Sequence, residues 1–150
     1  MFTILLSDVA TLDIINQLPE YPAEDSEVRT VAQHIQTGGN ASNSAIVMQQ
    51  LGLNTHLFAS RANDNNAQQI FSSLASRHIN SAFCPVHKTG STPTSYITLN
   101  TSNGSRSIVH FRDLPELHAD EFTALSLNNI DWFHFEARAC EQLLIETFAR

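Results

Sequence analysis

The stretch richest in chemistry is Thr37-Gly38-Gly39-Asn40-Ala41-Ser42-Asn43-Ser44-Ala45. Two glycines allow the backbone to approach a ligand closely. Asn40 and Asn43, three residues apart, share one side of a helix's first turn. Each amide both donates and accepts, which matches a hydroxyl. The first N–H groups of a helix lack intrahelical partners and supply further donors. A neutral, hydroxyl-bearing ligand is the natural complement. The competing reading is a simple glycine turn with asparagine capping. The stretch by itself leaves both open.

Other chemistries find less support. The net charge over 150 residues is −7, which argues against nucleic acid or an anionic membrane as partner and favours a neutral ligand. His34, His56, His78, His87, His110, His118 and His134 show no metal-ligand spacing. No GxSxG supports Ser/His/Asp catalysis, and no Walker A glycine loop is present. Cys84 and Cys140 form no CxxC pair and read as reduced thiols. The first eight residues lack a basic segment and a signal-peptide apolar run, and no stretch is long enough to span a bilayer. A cytoplasmic location is expected.

The elements that must position these groups follow from periodicity. Residues 2–6 read as a buried strand and 11–16 as a second extended segment. Residues 19–27 are turn-rich, acidic and expected to be exposed. Val28, Thr30, Ala32 and His34 alternate as in a strand. Residues 40–51 read as a helix, with Gly52 suited to its C′ position. A strand over 55–60 precedes a helix built on Ala67, Ile70, Phe71 and Leu74, capped by Asn65 or Asn66. A short strand is expected over 82–86. Extended runs over 94–101 and 105–112 flank the hairpin signal Ser102-Asn103-Gly104. A short helix over 119–125, a strand over 132–135 and a helix over 138–150 complete the chain. Alternating strands and helices from residue 40 onward imply crossover units and a mostly parallel sheet. The segments 28–36 and 94–112 break that alternation and are expected to form a small separate antiparallel sheet. The last helix reaches Arg150 without a stop signal, so the chain reads as part of a larger domain.

The Gly38-Gly39-Asn40-Ala41-Ser42-Asn43 element opening a helix that ends in Leu51-Gly52 resembles the first signature of the PfkB, or ribokinase-type, carbohydrate kinases. Further stretches resemble that family in order and at similar spacing. Thr11-Leu12-Asp13 is similar to its early aspartate. Pro22-Ala23-Glu24-Asp25-Ser26-Glu27 is similar to the segment leading into the lid strand in the ketohexokinase branch. Pro93-Thr94-Ser95-Tyr96-Ile97-Thr98-Leu99-Asn100 and Asn103-Gly104-Ser105-Arg106-Ser107-Ile108-Val109 resemble the lid hairpin. Asp131-Trp132-Phe133-His134-Phe135-Glu136 resembles the strand ending in a glutamate. The sequence departs from the family pattern at Ser7-Asp8, where glycine is usual, and at Ala137-Arg138-Ala139, where Gly-Arg-Asn is usual.

The resemblance implies an α/β ribokinase-like three-layer sandwich, here its N-terminal part, with a small antiparallel β-clasp lid near 26–37 and 93–112. It implies a sugar site of Asp13, Gly39, Asn40, Asn43, Arg106 and Glu136, with Asp25 reaching the site from a partner's lid in a clasp-mediated homodimer. Arg106 would offset phosphoryl charge, and Glu136 would orient Arg106 or a hydroxyl. Each has a plainer alternative: Asp13 capping a turn, Arg106 a solvated cross-strand partner, Glu136 a strand-end polar group, Asp25 part of an exposed acidic run. The family's base and anion hole come from a Gly-Ala-Gly-Asp element that this sequence lacks. ATP and Mg²⁺ are therefore expected of a longer enzyme that phosphorylates a sugar hydroxyl, by resemblance the C1 hydroxyl of a ketohexose such as fructose. This chain alone is expected to be inactive. The alternative is a non-catalytic dimerising or sugar-binding module from a truncated kinase gene.

Overall fold

The computed structural model describes residues 1–136 and Ile145. The helix expected over 138–150 lies outside the described residues apart from Ile145, as do Ala137, Arg138, Ala139 and Cys140. In chain order the elements are β1 (Thr3–Ser7), β2 (Thr11–Leu18), β3 (Ala32–Gly38), α1 (Asn40–Gln50), β4 (Asn54–Phe58), α2 (Asn65–Ser76), β5 (Thr94–Asn100), β6 (Arg106–Phe111), α3 (Ala119–Thr123) and β7 (Trp132–Phe135).

β1 is buried along its whole length because both of its faces are covered, the situation that selects continuous apolar runs. Side chains alternate across a strand. Ile4 and Leu6 join the core made with Ala41 and Ala45 of α1, Leu57 of β4 and Ile70 and Leu74 of α2. Leu5 joins the opposite core, with Phe58, Phe122 of α3, Phe133 and Phe135. β4 and β7 flank β1 in parallel. The expected crossover units and parallel sheet are thus present, in the order β4-β1-β7.

A second sheet has the order β3-β2-β5-β6. It is separate, as the broken alternation implied, but mixed rather than purely antiparallel. β2–β3 and β5–β6 pair antiparallel, whereas β2–β5 pair parallel. The added member is β2, which runs on to Leu18 instead of ending at 16 and supplies a centre for both flanking strands. The strand expected over 28–36 begins only at Ala32. Its partner β2 stops before Pro19, so residues 28–31 have almost nothing to pair with beyond the bond from Val31 N to Gln17 O.

Two local expectations also change. No strand forms over 82–86. Pro85 lacks an N–H, and the segment is tied to the body by single bridges, His56 to Asn80 and Arg61 to Val86. The cap of α2 is Asp64, not Asn65 or Asn66: its Oδ1 accepts from Ala67 N at 2.7 Å. The C-terminus of α1 is as expected. Gly52 adopts φ 86°, and the bonds Gly52 N to Gln49 O and Leu53 N to Met48 O close a Schellman motif. Among the described residues no helix is long and apolar enough to cross a membrane.

Candidate functional site

A cavity of ≈ 360 Å³ opens where β1 ends, between the start of α1 and one face of the second sheet. Its position outside the carboxyl end of a parallel strand is where α/β folds place ligands. Three chain segments shape it. β1 delivers Asp8 and Val9, and Asp8 is held by neighbouring groups. The β3–α1 junction delivers Gly39, Asn40 and Asn43. The sheet delivers Thr11, Asp13, Ser95, Ile97, Arg106, Ile108 and His110.

The glycines act as their placement in the sequence suggests. Gly39 sits at φ 92°, and a side chain there would collide with the Val9 carbonyl. A Cβ on Gly38 would overlap the Asp13 carboxylate, so its absence is what lets that carboxylate occupy the cavity wall. Thr11 Oγ1 donates to Asp13 Oδ1 at 3.0 Å, leaving Oδ2 for other donors. α1 begins without any side-chain cap. Asn40 therefore does not cap the helix; its Nδ2 donates to Glu136 Oε2 at 3.5 Å.

Five of the seven sequence-derived candidates, Asp13, Gly39, Asn40, Asn43 and Arg106, line this one cavity. Arg106 opens β6 opposite Leu99, is exposed and makes no ion pair among the described residues. Glu136 stands one side chain back. It accepts from Asn40 and meets His134 Nε2 at 3.0 Å, while its N–H bonds to Ser7 O at the end of β1. Asp25 lies in the exposed loop between β2 and β3, with φ 55°, and does not line the cavity of its own chain.

Ser95 and His110 were missed by the motif comparison, yet a signal for them existed. Side chains alternate, so Arg106 facing the ligand puts Ile108 and His110 on the same face. The hairpin register then brings Ser95 beside His110. Loop 101–105 enforces that register: Gly104, at φ 74°, donates to Asn100 O at 2.8 Å, and Asn100 N donates to Ser105 O at 2.8 Å.

A second tier of contacts holds the wall in place. The Asp64 carboxylate caps α2 and also accepts from Thr92 N at 2.8 Å, two residues before β5. Burial alone would raise its pKa, but bonds from Thr92, Ala67 and Asn66 outweigh that and hold it below the usual carboxylate value. Cys84 is free and buried, and burial pushes its thiol up to about 12. It is an inert core thiol.

The described residues do not compose a magnesium site. Among the described residues no three His, Cys, Asp or Glu side chains converge. The sequence offers no phosphate-cradling glycine loop and no Gly-Ala-Gly-Asp element. The groups lining the cavity suit a neutral polyol, with the guanidinium of Arg106, which has no ion pair among the described residues, beside them.

A helix-covered parallel sheet, with a polar cavity at its strand ends walled by a second sheet, defines an α/β protein of the ribokinase-like class. The chain belongs to the pfkB family of carbohydrate kinases, whose pattern matches residues 6–149. It is 36% identical over 142 residues to the ketohexokinase of Mus musculus, covering 93% of this chain and 48% of that one. The chain thus spans about half the length of that curated relative. Solved structures agree on the fold. A candidate ribokinase from Agrobacterium tumefaciens superposes with a TM-score of 0.80 at 18% identity, over 99% of this chain and 49% of that one. The ribokinase of Cryptococcus neoformans var. grubii serotype A, solved with ADP, gives a TM-score of 0.69 at 17% identity, over 99% and 44%.

Proposed function

We propose that this chain is the sugar-binding part of an ATP-dependent carbohydrate kinase that phosphorylates a sugar hydroxyl, ketohexokinase-like and acting on the C1 hydroxyl of fructose. The observation that carries the reading is the convergence of Asp13, Gly39, Asn40, Asn43 and Arg106 on one cavity. Asp13 Oδ2 accepts from a ligand hydroxyl, and the amides of Asn40 and Asn43 read others. Hydrogen bonds to a charged group of this kind contribute about 1.5–3 kcal/mol each. Glu136 fixes the Asn40 amide and, through it, the approach of the sugar. Arg106 offsets charge on the phosphoryl group as it is transferred.

The sequence lacks the Gly-Ala-Gly-Asp element that carries the family's base and anion hole, so on this reading the chain binds sugar without turning it over. ATP, Mg²⁺ and the base belong to sequence that this chain does not contain. The second sheet acts as the β-clasp lid, and two lids pack together in a homodimer. Its face away from the cavity carries Ile35, Tyr96, Val109 and Phe111, all substantially exposed, which supports that packing. In such a dimer Asp25 reaches the partner's cavity.

The test is direct. Calorimetric titration of the chain with fructose is expected to show binding that is lost in Asp13→Asn. Incubation with fructose, ATP and Mg²⁺ is expected to yield no phosphosugar. Phosphosugar formation would overturn the inactivity, and an absence of sugar binding would overturn the site. The exposed lid face gives some support to a second reading, a dimerising module without chemistry. Dimers that fail to bind any sugar would favour it.

A further inference from the structure

The sheet wall of the cavity has an order that the motif residues do not explain. Asp13 of β2 stands opposite Ser95 of β5, and Ser95 stands opposite His110 of β6. The three form one row across three strands, and all three line the cavity. Neighbouring strands lie about 4.8 Å apart, so the row presents polar groups at regular steps. The next row on the same face is apolar: Ile97 and Ile108 are paired across β5 and β6 and also line the cavity.

Within the polar row, His110 Nδ1 and Ser95 Oγ are 3.1 Å apart. Ser95 is only 9% exposed. A serine hydroxyl has one proton to donate and two lone pairs. If Nδ1 accepts the Ser95 proton, Oγ is left as an acceptor towards the cavity. If Nδ1 carries the proton, Ser95 keeps its own to donate. In either tautomer His110 uses one hydrogen-bonding role of Ser95 and leaves another aimed at whatever fills the cavity. An apolar strip beside it accommodates the C–H face of a ring or chain.

We propose that Ser95, oriented by His110, reads one hydroxyl of the bound sugar next to the hydroxyl held by Asp13, and so sets which polyols this cavity accepts. The proposal rests on the sugar-site reading above. It assigns Asp13 to affinity for sugars in general and the Ser95–His110 pair to selection among them. A site that hydrogen-bonds a particular hydroxyl discriminates against the analogue lacking it, because the protein's polar group is then left unpaired.

The experiment is calorimetric titration of the chain with fructose and its set of monodeoxy analogues. Wild type, Ser95→Ala, His110→Phe and the opposite-face control Ser107→Ala are compared, each first checked for folding by circular dichroism. Wild type and Ser107→Ala are expected to bind one of the analogues about tenfold more weakly than fructose. In Ser95→Ala that gap is expected to shrink below about twofold, because the mutated site no longer holds a group that misses the hydroxyl. His110→Phe is expected to narrow the same gap, for the same analogue. A second readout needs no variant: the His110 ring resonances are expected to move in NMR spectra when fructose is added. Fructose binding with the full gap kept in Ser95→Ala, or with His110 unmoved, overturns this proposal alone. No binding of any sugar by wild type overturns the site reading and this proposal with it.

Discussion

The two sheets are built to opposite rules. In the parallel sheet every residue of β1 is buried, and Leu6 and Leu57 have no exposure at all. In the second sheet every residue of β6 is exposed. The first is clad on both faces by the two apolar cores. The second turns a polar face to the cavity and leaves much of its other face to solvent. Both reach the site, but differently. The parallel sheet fixes where the cavity lies, through the end of β1 and the start of α1. The second sheet supplies most of the groups that meet a ligand. Stability and recognition are therefore carried by different layers, and changes in one are expected to leave the other largely intact.

The largest effect should come from the buried layer. Leu57→Ala removes a fully buried side chain in contact with both α1 and α2 through their common core. It is expected to destabilise the chain by about 2–5 kcal/mol, read from denaturant midpoints. Sugar affinity of the fraction that remains folded is expected to stay near wild type. A loss of affinity as large as the loss of stability would erase the division between the sheets. Gly38→Ala probes the opposite case. Its new Cβ must displace the Asp13 carboxylate, a group at the cavity and not in the core. Fructose affinity is expected to fall at least about tenfold, the loss of roughly one charge-assisted bond, while the unfolding midpoint changes far less than in Leu57→Ala.

The same contrast governs what the sequence discloses. The parallel sheet and its helices are legible from periodicity because burial on both faces forces runs such as Ile4-Leu5-Leu6 and the spacing of Ala67, Ile70, Phe71 and Leu74. The second sheet is legible only in part. That it exists follows from segments that break the alternation, but the role of β2 as its centre depends on pairing between residues far apart in the chain, such as Asp13 with Ser95. Residues 28–31 alternate like a strand and are not one, since pairing and not pattern decides where an exposed strand begins. Asp64, as good a cap by type as Asn65 or Asn66, caps α2 and also serves Thr92, a contact that no local pattern reveals. Likewise Gly39, Asn40 and Asn43 declare themselves by type and spacing, whereas Ser95 and His110 enter the site through register.

Asp64 joins the two layers, and its loss should be of middle size. Asp64→Ala removes a helix cap, which is expected to weaken stability by about 0.5–2 kcal/mol. It also releases Thr92, so the start of β5 loosens. The carboxyl is held below its ordinary pKa in the folded chain. A depressed folded pKa stabilises the native state above the unfolded value and is lost as pH falls through the folded one. Wild-type stability is therefore expected to decline on acidification below about pH 4, and Asp64→Asn should show a shallower decline. An identical pH profile in the two proteins would show that the bonds to Thr92 and Ala67 do not depend on the charge.

The smallest effect on stability, and the most informative about the second sheet, is expected at Val109. It is 71% exposed and pairs across the hairpin with Tyr96, itself half exposed. Pairing carries this patch across the sheet to Ile14 and Ile35. Ile14 is partly buried against the main core, but Ile35, Tyr96 and Val109 leave an apolar patch in solvent, which suits association with a like surface. Val109→Asp puts a charge into that patch without touching either core, so the unfolding midpoint of the isolated chain should move by no more than about 0.5 kcal/mol. Sedimentation should nevertheless show a shift from dimer to monomer, because a charge buried against a second copy of the patch would lack a partner. If wild type sediments as a monomer at all concentrations, the second sheet does not pair in this chain, and the proposed route of Asp25 to a partner's cavity is lost.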